Sequence, residues 1–302
     1  MSGVGAMASG GFSDFMNDLL AYESGWDRVR YDRGIITDQQ LNTWARGSVR
    51  EFFPEHASWG DLSEAEWQQM ACRSMNSLGF VGFQFGEALL IDLGYYQDDS
   101  YYLNGESENL WDGAWLGQHG VDSLEDFMRY DVQSRAMQEA FGYNLFLLDG
   151  MLAGAGLDLE DYVNRSFTVR QDGGARMEVD LTLTGILAAA HLRGASGVRD
   201  LIVEGAVTTD EYGTSILQYI EQFGGYDGPE VADLIDLWLN PEPDPAPVVE
   251  EFTVVCVMKA PVGHETHSVL KPTDQGEATL SEPDTDVFQF HNTPDAPWGL
   301  FG

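Results

Sequence analysis

Residues 12–25 read FSDFMNDLLAYESG, and this stretch is the starting point for interpreting the whole chain. Its apolar side chains recur every three or four residues, which is the period of one face of an α-helix. Glu23 continues that face, and Gly25 follows as a typical helix end. The pattern predicts an amphipathic helix that carries a carboxyl group half inside the core. Burial favours the protonated form of a carboxyl group, as a general acid requires. The alternative is an ordinary helix-end glutamate that turns out into water.

Two later stretches extend this interpretation. Residues 82–86 read GFQFG, a turn-like run in which Gln84 lies between two phenylalanines. Residues 187–198 read LAAAHLRGASGV, which predicts a helix of small residues that carries His191 and ends in spaced glycines. A glutamine in such a turn can contact a sugar, satisfy backbone groups, or do both. A lone histidine on such a helix is more often structural than catalytic.

Taken in order, Glu23-Ser24, the Gly-x-Gln-x-Gly turn and the small-residue helix resemble the lysozyme-like superfamily. Within it, the chain is most similar to lytic transglycosylases and related phage or secreted muramidases. The resemblance implies that Glu23 is the catalytic acid, that Ser24 is its hydrogen-bonding neighbour and that Gln84 lines the sugar groove. His191 takes the position of the family's tyrosine, as an orienting residue or a substrate contact. The resemblance covers about residues 12–225.

The chain departs from the family pattern at His191, which replaces the tyrosine, and in two further ways. Leu192 stands where the family usually has asparagine, and about sixty residues separate Glu23 from Gln84, which implies an insertion. Residues 26–76 are that inserted helical segment, either a peripheral cap or one wall of a groove. As a wall, it would supply a second carboxylate, for which Asp32 and Asp38 are the candidates.

Aromatic and acidic residues alternate between residues 95 and 115, where Tyr95 and Trp111 stand among several aspartates and glutamates. Aromatic rings stack on sugar rings, and neighbouring carboxylates accept hydrogen bonds from hydroxyl groups. The sequence therefore predicts a substrate-binding loop that includes Tyr95 and Trp111. Two alternatives stay open: the aromatic side chains pack in the core, or the acids hold a calcium ion, although no EF-hand pattern is present.

The charge balance is strongly acidic, with 50 acidic and 15 basic residues and a net charge of −35. Such a surface repels nucleic acid and anionic membranes, so neither is expected as a partner. It fits a protein that stays soluble in high salt, or a secreted or marine protein, and it also suits a cationic polysaccharide. Cys72 and Cys256 allow at most one disulfide, and no metal-ligand spacing is found. No cofactor and no metal site are expected.

The remaining chain completes the predicted architecture. Ser63, followed three residues later by Glu66, predicts a helix capping box. Alternating residues around residues 172–174 predict a small β-hairpin. A proline-rich acidic linker follows at residues 241–250, and residues 251–302 form a short appendage with predicted strands. The expected fold class is mainly α, an α+β lysozyme-like domain over residues 12–240, with the hairpin and a β-containing C-terminal appendage.

The function expected from this resemblance is cleavage of β-1,4 glycosidic bonds in an amino-sugar polymer of the cell wall, peptidoglycan. The enzyme would be a lytic transglycosylase or muramidase glycosidase, with Glu23 as general acid and base. One alternative is an inverting glycoside hydrolase that acts on chitosan or another polysaccharide. Another is a non-catalytic carbohydrate-binding or virion structural protein of the same fold. We expect an extracellular, cell-envelope or virion-associated protein, although residues 1–11 lack the basic region of a signal peptide. The oligomeric state is left open.

Overall fold

The computed structural model of the chain describes residues 9–170, 176–210 and 213–241. Within these residues the fold is mainly α-helical with small two-stranded β elements, as the sequence predicted. The α-helices in chain order are α1 (Phe12–Ser24), α2 (Arg28–Asp32), α3 (Asp38–Ala45), α4 (Val49–Phe52), α5 (Glu64–Arg73), α6 (Glu87–Asp92), α7 (Leu124–Phe127), α8 (Tyr130–Gly154), α9 (Leu183–Glu204), α10 (Ile216–Phe223) and α11 (Val231–Leu239).

The strands form three separate pairs. They are β1 (Tyr96–Gln97), β2 (Tyr101–Tyr102), β3 (Gly105–Glu106), β4 (Ala114–Trp115), β5 (Arg165–Arg170) and β6 (Arg176–Leu181). β1 pairs antiparallel with β4, and β2 pairs parallel with β3. β5 and β6 pair antiparallel with Phe167 opposite Val179, so the predicted hairpin is confirmed. Its turn, residues 171–175, lies outside the described residues.

The centre of the fold is α8, which packs against α9 and α11, while α10 packs against α9. α8 lies directly against α11 at Gly142, where an added Cβ atom would come 2.1 Å from the Leu234 carbonyl oxygen. The sequence suggested that α9 ends at the glycine-rich run, but the helix continues beyond it. It kinks at Gly194 (φ 67°, ψ 173°) and continues to Glu204. The buried residues Val198 and Leu201 explain the continuation, because they keep the second half of α9 in the core.

The segment from residue 26 to 76 carries α2 to α5 and is built around three buried tryptophans. Trp26 makes edge-to-face contacts with Trp59 and Trp67, with ring centroids 5.1 and 5.4 Å apart. The Trp67 indole N–H also donates to the Trp26 carbonyl oxygen at 2.7 Å. α5 packs against α1. The segment that follows Glu23 is therefore held together by its own aromatic core, and α5 attaches it to α1.

The predicted capping box at the start of α5 is confirmed. The Ser63 hydroxyl accepts from the Glu66 N–H at 3.3 Å, and Glu66 Oε2 accepts from the Ser63 N–H at 2.7 Å. Cys72, also on α5, is buried and forms no disulfide within the described residues. Cys256, the linker beyond Pro241 and the appendage with its predicted strands lie outside the described residues.

Membrane insertion was not expected from the sequence. In the part of the chain that the structure describes, no helix combines the length and the apolar character needed to cross a bilayer.

Candidate active site

Glu23 lies in the last turn of α1, and its side chain is 10% exposed. The Tyr219 hydroxyl on α10 donates to Glu23 Oε1 at 2.8 Å. His191 Nε2 on α9 lies 3.4 Å from the same oxygen. No described residue donates a hydrogen bond to the other carboxylate oxygen, Oε2. Both protein partners therefore gather on one oxygen, which leaves the second oxygen for a ligand or for water.

Gln84 contacts the backbone of Glu23 rather than its carboxylate. The Gln84 side-chain amide donates to the Glu23 carbonyl oxygen at 2.8 Å, and its own oxygen accepts from the Asn76 side chain at 2.7 Å. The sequence predicted a groove residue, but this amide is engaged by the protein at both ends. Gln84 is thus a positioning residue that fixes the end of α1 against the glycine-rich turn.

The turn that carries Gln84 is strained and tightly held. Gln84 has a left-handed φ of 63°, which costs a non-glycine residue about 1–3 kcal/mol and is typical of functional sites. Asn109 secures the turn on both sides, since its N–H donates to the Leu78 carbonyl oxygen and its side-chain oxygen accepts from the Glu87 N–H, each at 2.8 Å. The Trp111 indole N–H donates to the Gly79 carbonyl oxygen at 2.8 Å. These contacts account for the strained backbone at Gln84.

Ser24, expected as a hydrogen-bonding neighbour of Glu23, instead bonds the backbone of the residues that follow it. Its side chain is buried, and its hydroxyl accepts from the Trp26 N–H at 3.1 Å. A serine that caps the turn after a helix satisfies a backbone donor that would otherwise be orphaned. Ser24 therefore shapes the exit of the chain from α1.

The two aromatic candidates differ in their surroundings. Tyr95 is fully buried, and its hydroxyl donates to Glu139 Oε2 at 2.8 Å. No face of its ring is open to a sugar, so the prediction of Tyr95 as a substrate contact was wrong, and the core alternative holds. Trp111 is half-buried and stacks on Trp115, with ring centroids 6.0 Å apart and planes 12° from parallel. Trp111 keeps an accessible part, and its contact with a sugar stays a prediction.

The two carboxylates predicted from the inserted segment are both exposed. Asp32 forms an ion pair with Arg28 at 3.3 Å, and Asp38 accepts from the Tyr31 hydroxyl at 2.6 Å. Neither shows a hydrogen bond with Glu23 or with its partners.

Asp210 is a carboxylate near the site that the sequence did not reveal. Its charge raises the pKa of both Tyr22 and Tyr219, after the larger effects of burial and of the Glu23 charge. Because the charge of Asp210 affects both tyrosines, Asp210 lies near the two rings that flank Glu23. Asp210 accepts from the Thr214 N–H at 2.6 Å in the loop between α9 and α10. A loop aspartate without periodicity gives no signal in one sequence.

The electrostatics of the site keep Tyr219 protonated. Burial, the Glu23 charge and the hydrogen bond to Glu23 raise the pKa of Tyr219 far above its ordinary value. Tyr219 therefore acts as a neutral hydrogen-bond donor at any working pH. Tyr22 packs edge-to-face on Tyr219, with ring centroids 5.5 Å apart, and remains exposed beside Glu23.

A cavity of about 460 Å³ is found elsewhere, lined by residues that include Asn164, Thr182 and Tyr226. Because Glu23 does not line this cavity, and a polymer that is cut within its length needs an open groove, the cavity is not part of the candidate site.

No family model, curated protein or solved structure matches the chain.

Proposed function

We propose that this chain cleaves the β-1,4 glycosidic bonds of an amino-sugar polymer, with peptidoglycan as the substrate and Glu23 as the general acid. One observation carries the proposal. Three stretches that are remote in sequence, with Glu23, Gln84 and His191, converge on the end of α1, with contacts of 2.8 and 3.4 Å. This is the set of residues that the resemblance to lytic transglycosylases singles out.

The proposed reaction begins when Glu23 gives its proton to the glycosidic oxygen, and the bond between that oxygen and C1 breaks. The carboxylate then takes the proton of the C6 hydroxyl of the muramyl residue, while the C6 oxygen forms a bond to C1. The product is a 1,6-anhydro sugar, and Glu23 regains its proton. One carboxyl group serves both steps, so this route requires no second one.

The surroundings of Glu23 support this double role. Tyr219 fixes Oε1 as a neutral donor, and Gln84 fixes the backbone of the same residue. A carboxyl group held at both points keeps one orientation in both proton transfers, which lowers the entropic part of the barrier. His191 lies close enough to orient the carboxylate, consistent with the role that the resemblance implies.

A second candidate function is favoured by Asp210. An inverting glycoside hydrolase needs a second carboxylate about 6.5–9.5 Å from the acid, so that a water molecule fits between them. Asp210 acts electrostatically on the two tyrosines that flank Glu23, unlike Asp32 and Asp38, which make their contacts elsewhere. In this alternative Asp210 activates water, and the product has an ordinary reducing end.

The test is mass and reducing-end analysis of purified peptidoglycan digested by the wild type and by Glu23→Gln. The assay should be run at high ionic strength, because the net charge of −35 repels an anionic polymer and salt screens that repulsion. Loss of the transferable proton should reduce turnover about 10²–10⁴-fold. The matched control is Glu221→Gln, an exposed position on α10, which removes the same charge and should retain full activity.

Anhydro-muropeptides from the wild type and none from Glu23→Gln would support the transglycosylase. Reducing ends that disappear in Asp210→Asn would select the hydrolase. A wild type that binds glycan without turnover would contradict both mechanisms and favour the non-catalytic carbohydrate-binding protein.

A further inference from the structure

A second group of carboxylates lies away from the Glu23 site. Oxygen atoms of Glu87, Asp98 and Asp112 all lie within 4.8 Å of one another. Glu87 is the first residue of α6, Asp98 follows β1, and Asp112 precedes β4. The pairing of β1 with β4 brings the last two together, with Gln97 opposite Ala114. Three separate segments thus deliver one acidic group each to the same place.

Glu87 is unlike an ordinary surface acid. Its residue is only 1% exposed, and its Oε2 atom is buried without a hydrogen-bond partner among the described residues. Its Oε1 atom accepts from the Trp111 N–H at 2.6 Å. A buried carboxylate oxygen without a partner costs several kcal/mol if it stays charged. The buried carboxyl group of Glu87, a member of the cluster with Asp98 and Asp112, therefore has one oxygen that no described residue satisfies.

The protein supplies no described cation to offset these three acids. The backbone at Gly113 lies close to Asp98 and to the Tyr96 ring, which an added Cβ atom would approach to 2.9 Å. An added Cβ atom at Gly113 would lie 2.5 Å from the Gln97 carbonyl oxygen and 2.6 Å from Asp98 Oδ2.

We propose that Glu87, Asp98 and Asp112 bind a calcium ion. Every donor is an oxygen atom, which selects a hard cation such as calcium or magnesium over zinc or copper. Calcium accepts six to eight oxygen ligands in irregular arrangements, whereas magnesium requires near-ideal octahedral geometry. Ligands from one helix and two strand ends, with one carboxylate exposed, suit the irregular arrangement. Because the three carboxylates come from separate segments of the chain, the sequence shows no EF-hand pattern.

The ion would join the loop of Trp111 to the turn of Gln84. Glu87 lies three residues after Gln84, and its Oε1 atom binds the backbone of Trp111. Calcium would thereby fix the stacked pair Trp111 and Trp115 next to the turn that positions Glu23. The proposed site is separate from the Glu23 carboxylate, so its occupancy can be measured without any activity assay.

The experiment uses terbium(III), a calcium-like ion whose emission is excited by nearby indole rings such as Trp111. The full-length chain is titrated with terbium at high ionic strength, which screens the diffuse acidic surface. Bound terbium is then displaced with calcium or magnesium. The test variants are Asp112→Asn and Asp98→Asn. The matched control is Asp149→Asn, an exposed position on α8. Thermal unfolding with and without calcium gives a second readout for each protein.

We expect saturable emission that calcium displaces at lower concentrations than magnesium does. Asp112→Asn should weaken the affinity at least about tenfold, since affinity depends on the number of ligand charges, and Asp149→Asn should not change it. Calcium should raise the melting temperature of the wild type and of Asp149→Asn but not of Asp112→Asn. Equal terbium affinity in the wild type and both test variants would overturn the proposal and assign the binding to the acidic surface.

Discussion

Two clusters in this molecule are built from the same three side-chain types, a glutamate, a tyrosine and a histidine. In the first, around Glu139 on α8, the Tyr95 hydroxyl donates to Oε2 at 2.8 Å and His119 Nε2 lies 2.9 Å from Oε1. Glu139 is 3% exposed, and burial raises the pKa of its carboxyl group. Each oxygen has a partner, so the cluster joins three elements and leaves nothing to react.

In the second cluster the same three types are arranged differently around Glu23. Both Tyr219 and His191 face Oε1, and the side chain retains 10% exposure. No described donor reaches Oε2. The difference shows that composition does not separate a structural carboxylate from a candidate catalytic one. What separates them is whether the protein satisfies one oxygen or both.

The largest expected effect that distinguishes the clusters is on stability. Glu139→Ala should lower the free energy of unfolding by about 2–6 kcal/mol, because it removes the shared acceptor of two buried groups, the Tyr95 hydroxyl and the His119 ring, at about 1–3 kcal/mol each. Glu23→Ala should cost less, about 1–2 kcal/mol, from the lost acceptor of the Tyr219 hydroxyl. Urea unfolding of both variants measures the difference. Equal losses would mean that Glu23 is as structural as Glu139.

The tyrosines should separate in a smaller and complementary way. Tyr95→Phe leaves a buried carboxylate oxygen without its donor, so it should cost about 1–3 kcal/mol of stability with unchanged turnover per folded molecule. Tyr219→Phe should instead lower kcat about tenfold, equivalent to about 1.4 kcal/mol, with KM unchanged. The reason is that Tyr219 orients the acid without touching the polymer.

Steady-state kinetics and urea unfolding of both variants test this pair of expectations. A parallel loss of stability in both, with kcat unchanged in Tyr219→Phe, would contradict the positioning role of Tyr219.

The sequence predicted Glu23 and its helix because both depend on local pattern, namely an apolar stripe and a terminal glycine. It predicted the helical class and the hairpin for the same reason. The partners of Glu23 are of another kind. Tyr219 lies on the buried face of α10, and the periodicity that buries its ring carries no information about which oxygen its hydroxyl meets. That partner lies 196 residues away.

The buried carboxyl group of Glu139 could not be predicted for the same reason. The apolar residues of α8 include Met137 and Phe141, and Glu139 falls between them. An amphipathic helix would expose that position. α8 is instead the central helix, buried on several faces, and the loop residues Tyr95 and His119 supply the polar partners. A central helix is buried on more than one face, so periodicity does not identify all its buried positions, and its polar contacts depend on tertiary packing.

A third glutamate–histidine pair, on the surface, extends the comparison and gives the smallest expected effect. Glu66 Oε1 lies 3.1 Å from His56 Nε2, while Oε2 caps α5 through Ser63. The hydrogen bonds from Ser63 and then from His56 lower the pKa of Glu66 from 4.5 to about 2. A lowered folded-state pKa means that the ionised form stabilises the fold above about pH 4.5. That contribution is lost as the pH falls towards about 2.

Glu66→Gln should therefore flatten the pH dependence of stability between pH 4.5 and about 2. Glutamine keeps the capping box, so the helix itself should persist, and the change isolates the charge. Urea unfolding across this pH range, beside the wild type and the exposed control Glu221→Gln, measures it. If stability changes with pH as steeply in Glu66→Gln as in the wild type, the hydrogen bonds of the Glu66 carboxylate either persist in the unfolded chain or do not form in solution. The set of three glutamates would then lose its most exposed member, while the contrast between Glu23 and Glu139 would stand on its own measurements.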